Sequence, residues 1–317
     1  MRMKRTFPNP LIMIVLCLLL LTGCSAIKSG KSEQNFSFAV LTDPHSDGKT
    51  WKNALSEIRD MKLNPDPAFT SADLIIVAGD MDPMADRGKD YQDVFADARR
   101  RPVFLPVIGT HDTGASFLYA RDVLIPSIPG AVRRHPTSCD YYLDHKNVRI
   151  IAVDGYTELG KKGVISAEGR EWVERLIKSA PSSIDHIFIS FHEPAFPRFR
   201  HVGDSFNEDP DQRDAFWRML LSSGDRVRAV FVGHTHSYYR MRVLDPEGAA
   251  AKDTSAFPDE DGGIYQVDAG AAGNGSRNTI VQAQVNGGNL LFRVLQAKDG
   301  EHEPFAVIDE WKVIQDR

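Results

Sequence analysis

Cysteine is scarce in this chain: three among 317 residues, with Cys17 and Cys24 near the start and Cys139 alone in the body. A disulfide framework is excluded, and metal or carboxylate chemistry takes precedence over thiol chemistry. A surplus of positive charge is also missing. The net charge is -5 and Lys and Arg are spread along the chain, so the basic footprint that nucleic-acid binding needs is absent. The apolar run at residues 11–21 is too short to span a bilayer core, which takes about 20 residues. What is present is ordinary globular usage, with 42% hydrophobic and 26% charged residues, and no internal repeat.

Arg2, Lys4 and Arg5 precede that short apolar run, the arrangement of a secretory leader. It closes on Leu21-Thr22-Gly23-Cys24, which resembles the lipobox of bacterial lipoprotein signals, where cleavage before the cysteine leaves it as the lipid-bearing first residue. The resemblance implies a signal peptide over residues 1–23, acyl chains on Cys24 and a lipidated, flexible tether over residues 24–35, where Ser29-Gly30-Lys31-Ser32 is of the linker type. The expected location is the cell envelope, lipid-anchored at the membrane surface. Removal of three basic residues with the leader makes the remainder more acidic, so membrane contact is expected through the lipid alone. The plainer alternative is an uncleaved anchor with a buried Cys24.

From Phe36 onward, short apolar runs alternate with amphipathic stretches, the pattern of an α/β domain over residues 36–317. Strands are expected at residues 36–41, 74–78, 103–108, 148–153, 186–191 and 227–232, with helices capped by Thr50, Ser166 and Asp209 between them. After Tyr238, five further strand segments at residues 240–243, 264–267, 279–285, 290–295 and 305–311 make the C-terminal third β-rich. No linker divides residues 36–317.

Histidines and aspartates follow the apolar runs with regularity: Asp43-Pro44-His45, Gly79-Asp80, His111-Asp112, His192 and Gly233-His234-Thr235-His236. Ligands in open α/β sheets bind at the C-terminal ends of strands, so these groups are expected to converge. In extended backbone, residues i and i+2 point the same way, which would aim Asp43 with His45, and His234 with His236, at one place. Mixed nitrogen and oxygen donors suit Zn, Fe or Mn. Seven strong donors exceed the needs of one four-coordinate ion, so two cations sharing a carboxylate are expected.

The ordered series Asp-x-His, Gly-Asp, Gly-x-His-Asp, His and Gly-His-x-His resembles the calcineurin-like metallophosphoesterase superfamily over about residues 36–240. That resemblance implies a four-layer α/β/β/α sandwich of two mixed β-sheets flanked by helices, with the C-terminal strands building the second sheet. It implies that Asp43, His45 and His236 hold a first metal, that His192 and His234 hold a second, that Asp80 bridges them, and that His111, held by Asp112, is the catalytic histidine beside the phosphate. The chain departs from the pattern at Thr110, where the superfamily usually places an asparagine ligand of the second metal. The segment from His234 to Arg240 is similar to purple acid phosphatases. Pro83 stands where those enzymes carry a tyrosine ligand, and their first motif lacks His45, so a colourless centre is expected.

The activity implied is hydrolysis of a small-molecule phosphate ester, monoester or diester, by a water shared between two divalent cations (Mn, Fe or Zn). The rival reading is a degenerate metal- or ligand-binding lipoprotein without turnover. Two basic clusters, Arg133-Arg134-His135 and Arg198, Arg200 and His201, are equally consistent with specificity loops and with a solvated surface. Cys139 is expected to be a buried small hydrophobe.

Overall fold

The computed structural model describes residues 34–61, 68–157, 163–251, 262–273, 277–298 and 304–314. The leader, its cleavage site, Cys24 and the tether up to Glu33 lie outside the described residues. The first strand, β1 (Asn35–Leu41), is buried from Phe36 onward, as its near-continuous apolar sequence demands. Thereafter come β2 (Ala72–Val77), β3 (Val103–Pro106), β4 (Val132–Arg133), β5 (Tyr141–His145), β6 (Val148–Ala152), β7 (His186–Ser190), β8 (Val227–Val232), β9 (Tyr238–Val243), β10 (Ile264–Ala269), β11 (Asn278–Asn286), β12 (Asn289–Ala297) and β13 (Ala306–Val313).

These strands form two mixed sheets, one ordered β13-β12-β11-β1-β2-β3 and the other β4-β5-β6-β7-β8-β10-β9. β1, β2 and β3 run parallel, as do β6, β7, β8 and β10. One expectation is corrected here. The C-terminal strands do not build the second sheet by themselves: β11 to β13 extend the first sheet through an antiparallel β1–β11 pairing, while β9 and β10 complete the other. The reason is the free edge of β1, whose backbone groups need a partner on the side away from β2.

Aromatic packing joins the inner faces. Phe38 of β1 meets Phe188 of β7 and Phe231 of β8 with ring centroids 5.0 and 6.0 Å apart, and Phe292 of β12 lies 6.2 Å from Phe188. All four rings are fully buried, and each contributes about 1.5–3 kcal/mol of transfer free energy. The core therefore locks the two sheets in one register, on which any site shared by both depends.

Helices cover the outer faces. The first, α1 (Gly48–Asp60), buries Trp51, Ala54, Leu55 and Ile58, the i, i+3, i+4, i+7 stripe. Its cap is Asp47, whose side chain accepts from the Thr50 amide, and not Thr50 as the sequence suggested. α2 (Met84–Val94) buries Met84, Arg87, Gly88 and Tyr91, a face with too few apolar residues to read as a helix from periodicity. A short α3 (Ala115–Tyr119) follows. α4 (Ala167–Lys178) starts at the Ser166 cap, and α5 (Pro210–Ser222) starts at Asp209 with proline in its first turn, both as expected. α4 and α5 bury Trp172, Val173, Phe216 and Trp217 against Ile187, Ile189, Val230 and Val232 of the second sheet. A last helix, α6 (Pro246–Ala251), precedes β10. Among the described residues no helix is long and apolar enough to cross a membrane.

Candidate metal centre

Five of the parallel strands, β1, β2, β3, β7 and β8, each deliver one piece of the centre. β1 runs into Thr42-Asp43, β2 into Gly79-Asp80, β3 into the turn carrying Thr110 and His111, β7 into His192, and β8 into Gly233-His234. The local backbone is not extended as the spacing argument supposed. Asp43, His45, Asp80, His234 and His236 all have φ between 43° and 72°, and they are five of the eight non-glycine residues with positive φ among those described. That conformation costs an L-residue about 1–2 kcal/mol, so its concentration here marks a place where geometry is enforced by the surroundings. The enforcing bonds are visible: Asp43 N donates to Gly79 O, His45 N to Asp80 O, and His234 N to Asp43 Oδ2 at 2.9 Å. Gly79 and Gly233 let these turns close together, since a Cβ at Gly79 would overlap the His192 ring and one at Gly233 would overlap Thr42 and Asp43.

The donor atoms converge. His236 Nε2 lies 3.3 Å from Asp43 Oδ1 and 3.2 Å from His45 Nε2. Asp80 Oδ2 lies 3.3 Å from His192 Nε2 and 3.8 Å from His45 Nε2. Two ligands held about 2.1 Å from one ion can be no more than about 4.2 Å apart, so these spacings are compatible with a common cation. Asp43 Oδ1 and His192 Nε2 are buried without a hydrogen-bond partner, which fits atoms that a cation would satisfy. Three groupings meet the geometry of a metal site here: Asp43, His45 and His236; Asp80, His192 and His234; and His45, Asp80 and His111.

Neighbouring groups fix the rings. His192 turns Nδ1 to the Ala78 carbonyl at 2.7 Å, and His45 turns Nδ1 to Asp82 Oδ1 at 3.0 Å, so each presents Nε2 inward. His234 is reversed, with Nε2 3.1 Å from the Asp204 carbonyl, which leaves Nδ1 for the centre. His201 lies against His234 with centroids 4.2 Å apart and rings tilted by 38°, and bonds the Asp204 carboxylate, forming a fourth His/Asp grouping at the rim.

Electrostatics favour cations. Burial works to raise the Asp43 and Asp80 carboxyls, but the charge of His192 and hydrogen bonds from the surrounding groups outweigh it and hold both below the usual carboxylate range. In return, Asp80 and Asp43 overcome the burial of His192 and push its ring well up. The carboxylate charge that acts on His192 is charge that a bound cation would balance. His234, buried and facing His192 and His201, is pushed down to about 4 and stays neutral, as a ligand must.

His111 is exposed at the mouth, edge-on to His45 with centroids 4.9 Å apart, and its amide donates to Asp80 Oδ1. Asp112 does not hold the His111 ring as expected. Its two oxygens accept from the amides of Met81 and Gly109, so it ties the turn after β3 to the turn after β2. Thr110 points elsewhere: its hydroxyl lies 3.1 Å from the Tyr156 hydroxyl and donates to Glu193 Oε1 at 3.2 Å. Burial pushes Glu193 up to about 7 against the pull of His192 and these hydroxyls.

Several of these residues were not singled out by the sequence. Asp82 had a weak signal, two positions after Asp80, while Tyr156 and Asp204 had none. Of the basic clusters, Arg133 donates to the Ser138 carbonyl, Arg134 pairs with Asp140, and Arg198 donates to the Ala249 carbonyl, so all three brace loops. Cys139 is buried, and burial pushes its thiol up, as befits a small hydrophobe.

The calcineurin-like phosphoesterase family model matches residues 36–238. No curated protein sequence matches the chain. Among solved structures, a purple acid phosphatase from yellow lupin (Lupinus luteus) seeds is similar at a TM-score of 0.62 and 13% identity, covering 90% of this chain and 55% of that one. The chain thus spans little more than half the length of the lupin enzyme. PhoD is similar at 0.57 and 12% identity, covering 89% and 70%. GAP50, the anchor in the inner membrane complex of Plasmodium, is similar at 0.58 and 14% identity, covering 89% and 90%. At such identities the likeness speaks for the fold.

Proposed function

The chain belongs to the calcineurin-like phosphoesterase family, and from that premise we propose that it is a two-cation hydrolase of small-molecule phosphate esters, held at the cell envelope by a lipidated Cys24. The observation that carries the reading is Asp80, whose Oδ2 reaches the nitrogen donors of both groups, 3.3 Å from His192 and 3.8 Å from His45. Asp43, His45 and His236 would hold one cation, and His192 and His234 the other. Bound divalent cations would supply Lewis acidity toward the phosphoryl oxygens and an ionised water near neutral pH.

The chain's own residues do the rest. Asp82, the Ala78 carbonyl and the Asp204 carbonyl orient three imidazoles before any ion arrives, which lowers the reorganisation needed on binding. The buried rings and carboxylates exclude bulk water from the floor of the site. His111, exposed beside His45, is placed to meet the phosphoryl group and pass a ring proton to the departing oxygen.

The test is a chelated preparation assayed on bis(4-nitrophenyl) phosphate and 4-nitrophenyl phosphate with Mn, Fe or Zn added back. Hydrolysis should vanish with the ions and return with them; a chain that retains cations but turns over neither ester under any of these ions would be the degenerate binder. For the anchor, intact mass of the protein extracted from membranes should correspond to a chain that begins at Cys24 and carries acyl groups. A mass that retains residues 1–23 without acyl groups would remove the lipoprotein reading.

A further inference from the structure

The part of the chain beyond the matched residues 36–238 reaches the centre through residues 268–273. Ala272 N donates to the Thr42 carbonyl at 2.8 Å, directly before Asp43, and Gly273 packs so closely on Pro44 that a Cβ there would overlap its carbonyl. At the end of β10, Asp268 is fully buried. Its Oδ2 accepts from Thr235 Oγ1 at 2.6 Å, and its Oδ1 accepts from Gly270 N at 3.1 Å. Thr235, also fully buried, is the residue between His234 and His236.

A carboxylate buried among apolar strands is costly unless its bonds serve something. Here the shorter of its two bonds ends on the one residue that separates two histidines from different cation groups, both with positive φ. The Thr235 amide also closes on the Gly233 carbonyl, so the turn is pinned at its backbone by Gly233 and at its side chain by Asp268. We propose that Asp268 is a positioning residue for the cation centre, which acts through Thr235 to fix the directions of His234 and His236 together. The proposal rests on the cation-centre reading above. It places a determinant of metal affinity in the C-terminal third, outside every motif that marks the family.

The experiment is a titration of the chelated, full-length protein with Mn2+, with free ion read by its electron paramagnetic resonance signal. Thr235→Val, which keeps the shape and loses the hydroxyl, should weaken binding at both positions by about 10- to 100-fold, the usual effect of removing a group that orients a ligand. Thr235→Ser keeps the hydroxyl and should bind as the unmodified protein does. Asp268→Ala should weaken binding to a similar degree, and the double variant with Thr235→Val should be weaker than the poorer single by far less than the sum of the two losses, since both break the 2.6 Å bond they share, the hydroxyl's other contacts, to the Ser237 backbone, being long at 3.3 Å. Thermal melts of the ion-free variants report folding, and the Val and Ser pair at Thr235 carries the test if Asp268→Ala does not fold. Single variants with unchanged Mn2+ affinity, or losses that add in the double, would overturn the positioning role. An unmodified protein that binds no Mn2+ would instead overturn the cation centre itself.

Discussion

Asp80→Ala should lower kcat/KM for metal-dependent phosphodiester hydrolysis by about 1,000-fold or more, equivalent to about 4 kcal/mol of transition-state stabilisation. The size follows from how much one carboxylate does. Its Oδ2 stands between the two nitrogen groups, so its removal withdraws negative charge from both cation positions at once, and Lewis-acid assistance from such ions is worth several kcal/mol. Its Oδ1 accepts the His111 amide, so the turn that presents the exposed imidazole loses its anchor as well. Folding should survive, because the core that joins the sheets is built from Phe38, Phe188, Phe231 and Phe292, remote in kind from this charge cluster. Steady-state kinetics with saturating Mn2+, beside a circular dichroism spectrum, checks both parts. Activity within about ten-fold of the unmodified protein would mean that the chemistry does not pass through a shared carboxylate.

Asp80 was legible in the sequence because the elements around it speak in local terms. Residues 74–78 are a continuous apolar run, and a glycine followed by an acid at its end is a strand-to-turn signal that needs no tertiary knowledge; β8, apolar but for Arg228 and also followed by a glycine, was readable over its full length. β4 and β5 were not, since the two-residue β4 and the sequence Tyr-Tyr-Leu-Asp-His of β5 carry too little alternation to stand out. The assignment of the last strands to sheets was unreadable for a deeper reason. Pairing of β11 with β1 joins residues more than 240 positions apart, and nothing local in residues 278–286 distinguishes that partner from β10. The same limit hid the groups that orient the rings. The Ala78 and Asp204 carbonyls act as backbone atoms, which any residue could supply, and Asp268 meets Thr235 only once β10 has paired with β8. Ligand identity was thus written in side-chain type, while ligand orientation was written in the fold.

Thr110→Asn should tighten the weaker cation position by about 10- to 100-fold while making the ion-free protein less stable. The superfamily's asparagine offers a neutral amide oxygen one bond further from the backbone than a threonine hydroxyl. In this chain the hydroxyl is otherwise engaged, with Tyr156 at 3.1 Å and Glu193 at 3.2 Å, and Tyr156 itself donates to the same Glu193 oxygen at 3.0 Å. Asp80, His192 and His234 are then the protein groups left for the second cation, so the unmodified protein should purify with fewer than two ions per chain and need added divalent ion for full rate. Replacing Thr110 removes a hydrogen bond worth about 1 kcal/mol, which the denaturation midpoint of the chelated variant should register. A restored ligand worth 10- to 100-fold returns about 1.4–2.7 kcal/mol, so with Mn2+ present the ordering should reverse and the variant should melt at the higher temperature. That crossing is the diagnostic outcome, because a merely disruptive substitution lowers both midpoints. Equal and tight occupancy of both positions in the unmodified protein, unaltered by Thr110→Asn, would show that another oxygen already completes the coordination of the second cation, and Glu193, next to His192 and raised to about 7, would be the first place to look.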